Sequence, residues 1–306
     1  MTGGIVSIGE CMLELSGSGA DTWRMGFAGD TFNTLWALRA LTDPSTPANY
    51  VSAFGDDPFS RDQIAFFHDH GIGIGVSPII PGARPGLYAI TLTGAERSFT
   101  YWRGDAAARQ LASDPAVLAK SLADQKLVYF SGITLAILDT PSRKTLVDAL
   151  GVARKAGSLV AFDPNYRPRL WADADAAKAA IDAALAVVDV ALPTFPDEQT
   201  LYGDASPDAT AERLTRAGVA EIVVKDGDRP AFVFDNGRRE SVPALKVAAI
   251  DTTGAGDSFN GGYLAARLQG IPPAGAAARA HAVAAAVVQV RGALAPFRTL
   301  RGAYSG

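Results

Sequence analysis

Cysteine and histidine are scarce in this 306-residue chain, which contains one cysteine and three histidines. The single cysteine, Cys11, excludes an intramolecular disulfide and suits a reducing compartment, and we expect it to be packed in the core. His68, His70 and His281 form no H-E-x-x-H pattern and no cysteine cluster exists, so the sequence argues against a zinc site. We expect His68 and His70 to be solvated residues of a helix.

Blocks of positive charge and long apolar runs are also absent. The formal net charge is −4, which argues against nucleic acid or an anionic membrane as the main partner. No window reaches the roughly 18 apolar residues that a membrane-spanning helix needs. The start, "MTGGIVSIGECMLEL", lacks the charged residues and apolar run of a secretory signal. We therefore expect a cytoplasmic protein with a small-molecule partner.

Short β-branched runs alternate along the chain with alanine-rich segments of helical length. The expected strands are 4–10, 49–55, 126–132, 158–164, 188–193 and 220–225. The expected helices are 31–42, 58–70, 141–156, 175–187 and 207–217. Near-continuous apolar strands in this order are typical of an α/β fold, in which helices cover both faces of a parallel sheet.

The segment 86–103 breaks this alternation. Two runs of alternating apolar and polar residues flank Thr93, Gly94 and Ala95, which predicts a β-hairpin. Together with 11–29, the hairpin is expected to form a small sheet that projects from the main body and covers a site. The alternative is an antiparallel edge on the large sheet.

The stretch "DTTGAGDSFNGG" at 251–262 places two glycines and an alanine before one carboxylate, Asp257. From Gly254 the pattern changes from a turn to a helix, so Asp257 falls near the first helical turn. Free N–H groups at a helix start attract an anion such as phosphate, and glycines let it come close. A carboxylate there would repel phosphate. Either Asp257 is the base that takes a proton from an attacking hydroxyl, or it caps the helix.

Other nucleotide-binding patterns are missing from the sequence. There is no G-x-x-x-x-G-K-[ST], and the glycines of 254–262 do not fit the dinucleotide fingerprint. The run "GIGIG" at 71–75 has the glycines but no following helix. These absences disfavour a P-loop ATPase and a nicotinamide dehydrogenase.

The stretch at 251–264 closely resembles the C-terminal signature of the ribokinase-like (PfkB) carbohydrate kinases. "FAGDTFNTLWAL" at 27–38 is similar to the family's other glycine motif, which contacts the sugar, although Ala28 stands where a second glycine is common. The resemblance covers nearly the whole chain and indicates a branch that acts on a sugar acid. The segments that indicate this branch are 8–16, 28–34, 84–90, 96–103, 130–138, 162–171 and "DTTGAGDSF".

This resemblance implies the fold and the site. It implies one doubly wound, mostly parallel α/β domain over 1–306, with a lid formed by about 11–29 and 84–104. Asp257 is then the base in phosphoryl transfer from ATP, and the amides of Gly254, Ala255 and Gly256 form the anion hole. Magnesium would arrive with ATP, and a monovalent cation sits by this loop in related kinases. The implied sugar ligands are Gly29, Asp30, Asn33, Tyr88, Tyr101, Arg103, Arg167, Asp251 and Asp257. Asp251 either binds a hydroxyl of the sugar or holds the turn.

The nucleotide side is less completely matched. The resemblance implies that the nucleotide contacts Asn165, Arg167, Lys225, Gly227 and the turn formed by Gly254, Ala255 and Gly256. In "LPTFPDE" at 192–198, Thr194 and Asp197 are the nearest equivalents of an Asn and a Glu that the family commonly has near the metal and phosphates.

The physical properties of these residues agree with an acidic sugar. Tyr101 and Arg103, at i and i+2 of one expected strand, point to the same face, and Tyr88 lies on the partner strand. The arginine fork accepts a carboxylate bidentately. Arg167 follows a strand end, where open α/β sheets bind ligands.

Three other functions stay open. The nearest is a neutral-sugar kinase of the same fold, and the others are a non-catalytic sugar-binding protein and a nicotinamide dehydrogenase. The aromatic face of the expected lid suits pairing with a second subunit, which would make the protein a homo-oligomer.

Overall fold

The computed structural model describes residues 3–19, 22–93 and 96–305. Its strands are β1 (Ile5–Ile8), β2 (Met12–Gly19), β3 (Thr22–Ala28), β4 (Ala48–Val51), β5 (Phe54–Gly55), β6 (Ile79–Ile80), β7 (Leu87–Thr93), β8 (Glu96–Trp102), β9 (Leu127–Ser131), β10 (Leu159–Asp163), β11 (Val190–Ala191), β12 (Glu221–Val224), β13 (Ala231–Asp235) and β14 (Arg238–Val242). Its helices are α1 (Asp30–Leu41), α2 (Pro58–Asp69), α3 (Pro115–Leu122), α4 (Gly132–Ile137), α5 (Thr140–Lys155), α6 (Ala174–Leu185), α7 (Phe195–Tyr202), α8 (Pro207–Arg216), α9 (Ala255–Leu268), α10 (Pro273–Val287) and α11 (Phe297–Ser305).

The large sheet has the order β14-β13-β12-β11-β10-β9-β1-β4. Every pair from β12 to β4 is parallel, and only β13 and β14 are antiparallel. The α/β fold with a mostly parallel sheet is thereby confirmed. The expected strand 49–55 is divided in the structure, because β5 leaves the large sheet and pairs with β6.

Side chains of the large sheet alternate between two hydrophobic clusters, one on each face. On β1, Ile5 packs into one cluster, whereas Val6 and Ile8 pack into the other. All four residues of β1 are buried. This two-sided burial explains why the strands read as continuous apolar runs rather than as an alternating pattern.

The five expected helices are confirmed as α1, α2, α5, α6 and α8, with ends shifted by only one or two residues. Five further helices, α3, α4, α7, α10 and α11, follow no expected segment. The hairpin of β13 and β14 was also not expected, although Asn236 and Gly237 at its turn both have positive φ. An Asn-Gly pair between two short runs is a strong hairpin signal, so the sequence did contain it.

Helices α1 and α9 cross closely over one face of the large sheet. Residues 31–41 of α1 are all buried, so this helix is covered on every side. A Cβ at Gly261 of α9 would lie 2.6 Å from the carbonyl oxygen of Thr34. The glycine therefore allows the backbones of α1 and α9 to pack closely, so that the first turns of the two helices lie side by side.

Four strands form a separate small sheet in the order β3-β2-β7-β8. The hairpin expected at 86–103 is confirmed by the antiparallel pairing of β7 with β8. Its turn at Gly94 and Ala95 lies outside the described residues. The alternative, an antiparallel edge on the large sheet, is wrong because β7 pairs with β2 instead.

The minor expectations have mixed outcomes. Cys11 is buried, as expected, and His68 is exposed. His70 was expected to be solvated, and this is wrong, because its ring centroid lies 4.6 Å from the ring centroids of both Trp36 and Phe66. Within residues 3–19, 22–93 and 96–305, we find no helix with the length and apolar composition needed to cross a membrane.

Candidate active site

The turn before α9 is built around Gly254. Gly254 is the residue before the helix and has φ 74°, a left-handed conformation that favours glycine. The N–H of Ala255 lies 3.3 Å from the carbonyl oxygen of Thr252. Asp257 lies in the first turn of α9, as expected, and the residue at the N-cap position is Gly254. The alternative interpretation, in which Asp257 is the N-cap of the helix, is not observed, because Asp257 is the third residue of α9.

Asp257 accepts a hydrogen bond from Asn33 of α1. The distance from Asn33 Nδ2 to Asp257 Oδ2 is 2.8 Å, and Asn33 itself is fixed because its N–H donates to the Gly29 carbonyl at 2.7 Å. Burial, with the nearby charge of Asp30, raises the pKa of Asp257 to about 7. The hydrogen bond from Asn33 and the charge of Lys225 oppose this rise. A carboxylate with a pKa near neutrality is suited to accept a proton in catalysis.

A buried network lies beneath the glycine turn. The Lys225 ammonium donates to Asp163 Oδ2 at 2.6 Å and to Asn260 Oδ1 at 2.9 Å. Asn260 Nδ2 donates in turn to Asp163 Oδ2 at 2.7 Å and to the Tyr129 hydroxyl at 3.1 Å. The ammonium lies 3.9 Å from the position that a Cβ on Gly256 would occupy. Lys225 therefore supplies a positive charge directly behind the turn.

The expected sugar and nucleotide sides meet at a hydrogen bond between Asp30 and Asn165. Asn165 Nδ2 donates to Asp30 Oδ2 at 2.9 Å. The Asn165 N–H also donates to Asp163 Oδ1 at 3.0 Å, which closes a tight turn after β10. Asn165 has φ 36°, a conformation that asparagine tolerates better than most residues.

Asp251 holds the loops around the glycine turn. Its Oδ1 accepts from the N–H and the hydroxyl of Thr253, and its Oδ2 accepts from the Gly292 N–H at 2.8 Å. Sequence analysis left open whether the residue binds a hydroxyl of the sugar or holds the turn. Both oxygens are engaged within the protein, which favours holding the turn.

Arg103 is paired with Glu10, a residue that sequence analysis did not select. Arg103 Nε donates to Glu10 Oε2 at 2.8 Å, and Nη2 donates to the same oxygen. The exposed fractions of the two side chains are 12% and 1%. Burial raises the pKa of Glu10, and the charge of Arg103 opposes that rise.

The two expected tyrosines face each other across the small sheet. Tyr88 pairs with Tyr101 in the register of β7 and β8, and their ring centroids are 5.7 Å apart. The Tyr88 hydroxyl donates to Glu14 Oε2, and burial raises the pKa of Tyr88. Tyr101 is 49% exposed. Tyr88 therefore lies on the strand paired with that of Tyr101, as expected, whereas Arg103 follows the end of β8 instead of lying on it.

Arg167, which follows β10, is bound to Asp197 of α7. Its Nη1 donates to Asp197 Oδ2 at 3.1 Å, and its side chain is 49% exposed. Burial raises the pKa of Asp197, while Arg167 opposes that rise. Thr194 pairs with Lys225 through an isolated parallel bridge. Gly227 has φ 62° in the turn after β12, and a Cβ there would meet open space.

A cavity of about 820 Å³ lies between the small sheet and two loops of the main body. From the small sheet, Glu14 and Ile90 line it, and from the loops Asp251, Thr253 and Arg291 do so. Since Glu14 binds Tyr88 and Asp251 holds the glycine turn, the cavity borders the expected sugar side.

Three residues of the candidate site were not selected from the sequence, and all three lie inside segments already singled out. Glu10 stands in "IGECMLELS", Asp163 in "FDPN" and Asn260 in "DSFNGG". Glu10 and Asp163 are at or just beyond the carboxyl ends of β1 and β10. In a parallel sheet this edge carries the ligand site, which was the available signal.

The site as a whole combines several carboxylates with one buried ammonium. Asp30 and Asp163 raise the pKa of Asp257, and Lys225 lowers it. Among the described residues, no three carboxylate, histidine or cysteine side chains are close enough together to hold a metal ion. The arrangement offers a proton acceptor beside a helix start that attracts anions.

Comparison with solved structures identifies the fold. A candidate ribokinase II of E. coli in complex with ATP and Mg²⁺ superposes with a TM-score of 0.85 and 22% identity over 99% of each chain. The 2-dehydro-3-deoxygluconokinase of Thermotoga maritima superposes with a TM-score of 0.84 and 23% identity, covering 99% of this chain and all of the other (100%). At these identities the likeness establishes a ribokinase-like fold.

Comparison of sequences identifies the family. The family model for pfkB family carbohydrate kinases matches residues 3–300. The chain is 41% identical to the 2-dehydro-3-deoxygluconokinase of Dickeya dadantii, over 98% of this chain and 99% of the relative. The chain therefore belongs to the pfkB family of carbohydrate kinases, as its resemblance indicated.

Proposed function

We propose that this protein transfers the γ-phosphoryl group of ATP to the 6-hydroxyl of 2-keto-3-deoxygluconate, which is 2-dehydro-3-deoxygluconate. The relative from Dickeya dadantii, whose name gives that activity, supports the choice of substrate. The observation that carries the chemistry is the carboxylate of Asp257, held by Asn33 in the first turn of α9 with a pKa near 7.

Asp257 is the general base in this proposal. The sugar hydroxyl oxygen forms a bond to the γ-phosphorus, the bond from that phosphorus to the bridging oxygen of ATP breaks, and ADP leaves. The hydroxyl proton moves to Asp257. A pKa near the working pH leaves much of this carboxylate ionised before the reaction and able to hold the proton afterwards.

The glycine turn forms the anion hole. Gly254, Ala255 and Gly256 precede Asp257 at the start of α9, where backbone N–H groups and the helix dipole attract negative charge. Positioning and electrostatic stabilisation carry most of the catalysis of phosphoryl transfer. Lys225, behind the turn, adds a fixed positive charge on the same side.

The nucleotide binds beside this turn, at Asn165, Arg167, Lys225 and Gly227. Magnesium, which neutralises charge on ATP phosphates when bound, would come with the nucleotide and keep much of its water. Around Asp257, the carboxylates of Asp30 and Asp163 outnumber the one ammonium of Lys225. This net negative charge is compatible with a divalent cation that accompanies the triphosphate. The proposal also includes a monovalent cation bound near the loop that begins at Asp251.

The sugar binds between the small sheet and the start of α1. In the proposal one kinase domain spans 1–306, and segments 11–29 and 84–104 form a lid over the sugar. Tyr88 and Tyr101 would present hydroxyl and ring surfaces to the sugar. The complete proposed set is Gly29, Asp30, Asn33, Tyr88, Tyr101, Arg103, Arg167, Asp251 and Asp257.

A second candidate is a neutral-sugar kinase of the same fold. The pairing of Arg103 with Glu10 favours it, because Glu10 compensates the positive charge that would attract a carboxylate. Arg167 is the counterargument, since it is half exposed and reaches Asp197 by one hydrogen bond. The charge balance of the sugar end therefore depends on Arg167.

A coupled ADP-release assay over sugars separates the two candidates. We expect the highest kcat/KM with 2-keto-3-deoxygluconate and much lower values with fructose and ribose. A preference for fructose or ribose would support the neutral-sugar kinase instead. Absence of ADP release with every sugar and sugar acid would contradict both and favour a non-catalytic binding protein.

A further inference from the structure

An ion pair joins the two sheets beside the proposed sugar site. Glu10 follows β1 of the large sheet, and Arg103 follows β8 of the small sheet. Their side chains are 1% and 12% exposed. A buried ion pair is seldom a net source of stability, because desolvation opposes the attraction between the charges. Its position at the cleft therefore calls for a role other than stability.

Within the described ranges, the hydrogen bonds of the pair occupy only one edge of the arginine. Nε and Nη2 of Arg103 both donate to Glu10 Oε2, which occupies one edge of the planar guanidinium. A guanidinium carries five N–H donors in a fixed fork, so the opposite edge, which includes Nη1, can bind a second acceptor. The ion pair fixes the plane and direction of that edge.

The space around the Glu10 carboxylate depends on Gly86. A Cβ at residue 86 would lie 2.3 Å from Glu10 Oε1 and 3.1 Å from Arg103 Cβ. Glu10 Oε1 is buried and has no hydrogen-bond partner within the described ranges. An unpaired buried acceptor destabilises the fold. That a glycine at 86 nevertheless leaves room for this carboxylate suggests that its position serves a function.

We propose that Glu10 is a positioning residue, which fixes the guanidinium of Arg103 so that its open edge is presented to an oxygen of the sugar. The inference rests on the proposed function in one respect, namely that Arg103 contacts the sugar. Glu10 compensates the positive charge of Arg103. Arg103 would therefore recognise a sugar oxygen by the direction of its hydrogen bond, and Arg167 would attract the carboxylate of the sugar acid.

Steady-state kinetics of Glu10→Ala, Arg103→Ala and the double variant test this role. We expect Glu10→Ala to raise the sugar KM about ten-fold, the equivalent of one charge-assisted hydrogen bond, and to leave the ATP KM unchanged. Glu10→Gln, which keeps an acceptor oxygen, should retain part of the sugar affinity. In the Arg103→Ala background, Glu10→Ala should produce no further rise. Equal rises in both KM values, or additive effects in the double variant, would overturn the proposal.

Gly86→Ala provides a second test in which both charges remain. The added Cβ displaces the Glu10 carboxylate, so we expect the sugar KM to rise as in Glu10→Ala. Gly302→Ala in α11, outside the proposed lid, is the control, because a Cβ there meets no atom within 4 Å. An unchanged sugar KM in a folded Gly86→Ala protein would contradict the inference.

The two proposals fail in different ways. All KM values are measured with the sugar that gives the highest turnover in the wild-type screen. The proposed function fails if that sugar is not 2-keto-3-deoxygluconate. The role of Glu10 fails if the variants do not change the KM of that sugar, whichever sugar it is.

Discussion

Asn33 and Asp257 are 224 residues apart in sequence, yet Asn33 Nδ2 lies 2.8 Å from Asp257 Oδ2. The bond joins the first turn of α1 to the first turn of α9. It links a residue of the proposed sugar site to the proposed base and fixes the orientation of the Asp257 carboxylate. A hydrogen bond to the ionised form also favours ionisation, which limits the rise in the pKa of Asp257.

We predict that Asn33→Ala moves the pH dependence of kcat/KM. In the wild type, activity should rise with pH and level off above about 7, as Asp257 loses its proton. Removing the hydrogen bond from Asn33 should raise the pKa of Asp257, so the acidic limb should move to higher pH. Thr42→Ala, after the other end of α1, is the control and should leave the limb in place. A limb that stays at the wild-type pH in Asn33→Ala would contradict the account.

We predict that Asp257→Asn stabilises the fold at high pH. Burial raises the pKa of Asp257 to about 7 from 3.8, so the folded state binds a proton more tightly than the unfolded state does. The free energy of unfolding of the wild type should therefore fall as pH rises between these two values, and then stay level. Asparagine has no such dependence and can still accept from Asn33.

The measurement is thermal unfolding of wild type and Asp257→Asn from pH 4 to pH 9. The variant should have the higher Tm above about pH 7, and the difference should shrink toward pH 4. A difference that is constant with pH would mean that Asp257 has the same pKa in both states.

We predict that Lys225→Met destabilises the protein. Lys225 and Asp163 have side-chain exposures of 8% and 4%, so the substitution leaves Asp163 buried without its ionic partner. Loss of one member of such a pair reduces the free energy of unfolding by about 3–5 kcal/mol. Urea unfolding measures this change, with Lys246→Met on the surface as the control. Equal unfolding midpoints for the two variants would show that the network contributes little.

We predict that Arg167→Ala weakens binding of the sugar acid. The substitution removes a charge that we assign to the substrate carboxylate, so the sugar KM should rise by at least ten-fold, or about 1.5–3 kcal/mol. The neighbouring exposed arginine gives the control Arg169→Ala, which should behave as wild type. If the ATP KM rises and the sugar KM does not, Arg167 acts on the nucleotide alone.

Local patterns predicted six of the eight strands of the large sheet, the helices α1, α2, α5, α6 and α8, the start of α9, and the hairpin at 86–103. These elements have continuous apolar strands or clear periodicity, which short-range reasoning can detect. Helix α10 was missed because alanine dominates its sequence, so its buried face differs little in hydropathy from its exposed face. The hairpin of β13 and β14 was missed although its Asn-Gly turn was present.

The candidate site could be predicted only in part. The glycine turn and Asp257 are adjacent in sequence, so their relationship is visible there. The bonds of Arg103 to Glu10, and of Lys225 to Asp163, span 93 and 62 residues. Such pairs depend on which strand ends meet, and sequence order does not reveal that.

The central claim is that Asp257 removes the proton from the sugar hydroxyl. Its most direct test is the turnover of Asp257→Asn with saturating ATP and 2-keto-3-deoxygluconate, measured by ADP release, in a variant shown to be folded and to bind both substrates. General-base catalysis supplies ~10²–10⁴ in rate, so we predict that kcat falls by that factor. A kcat close to that of the wild type would contradict the account.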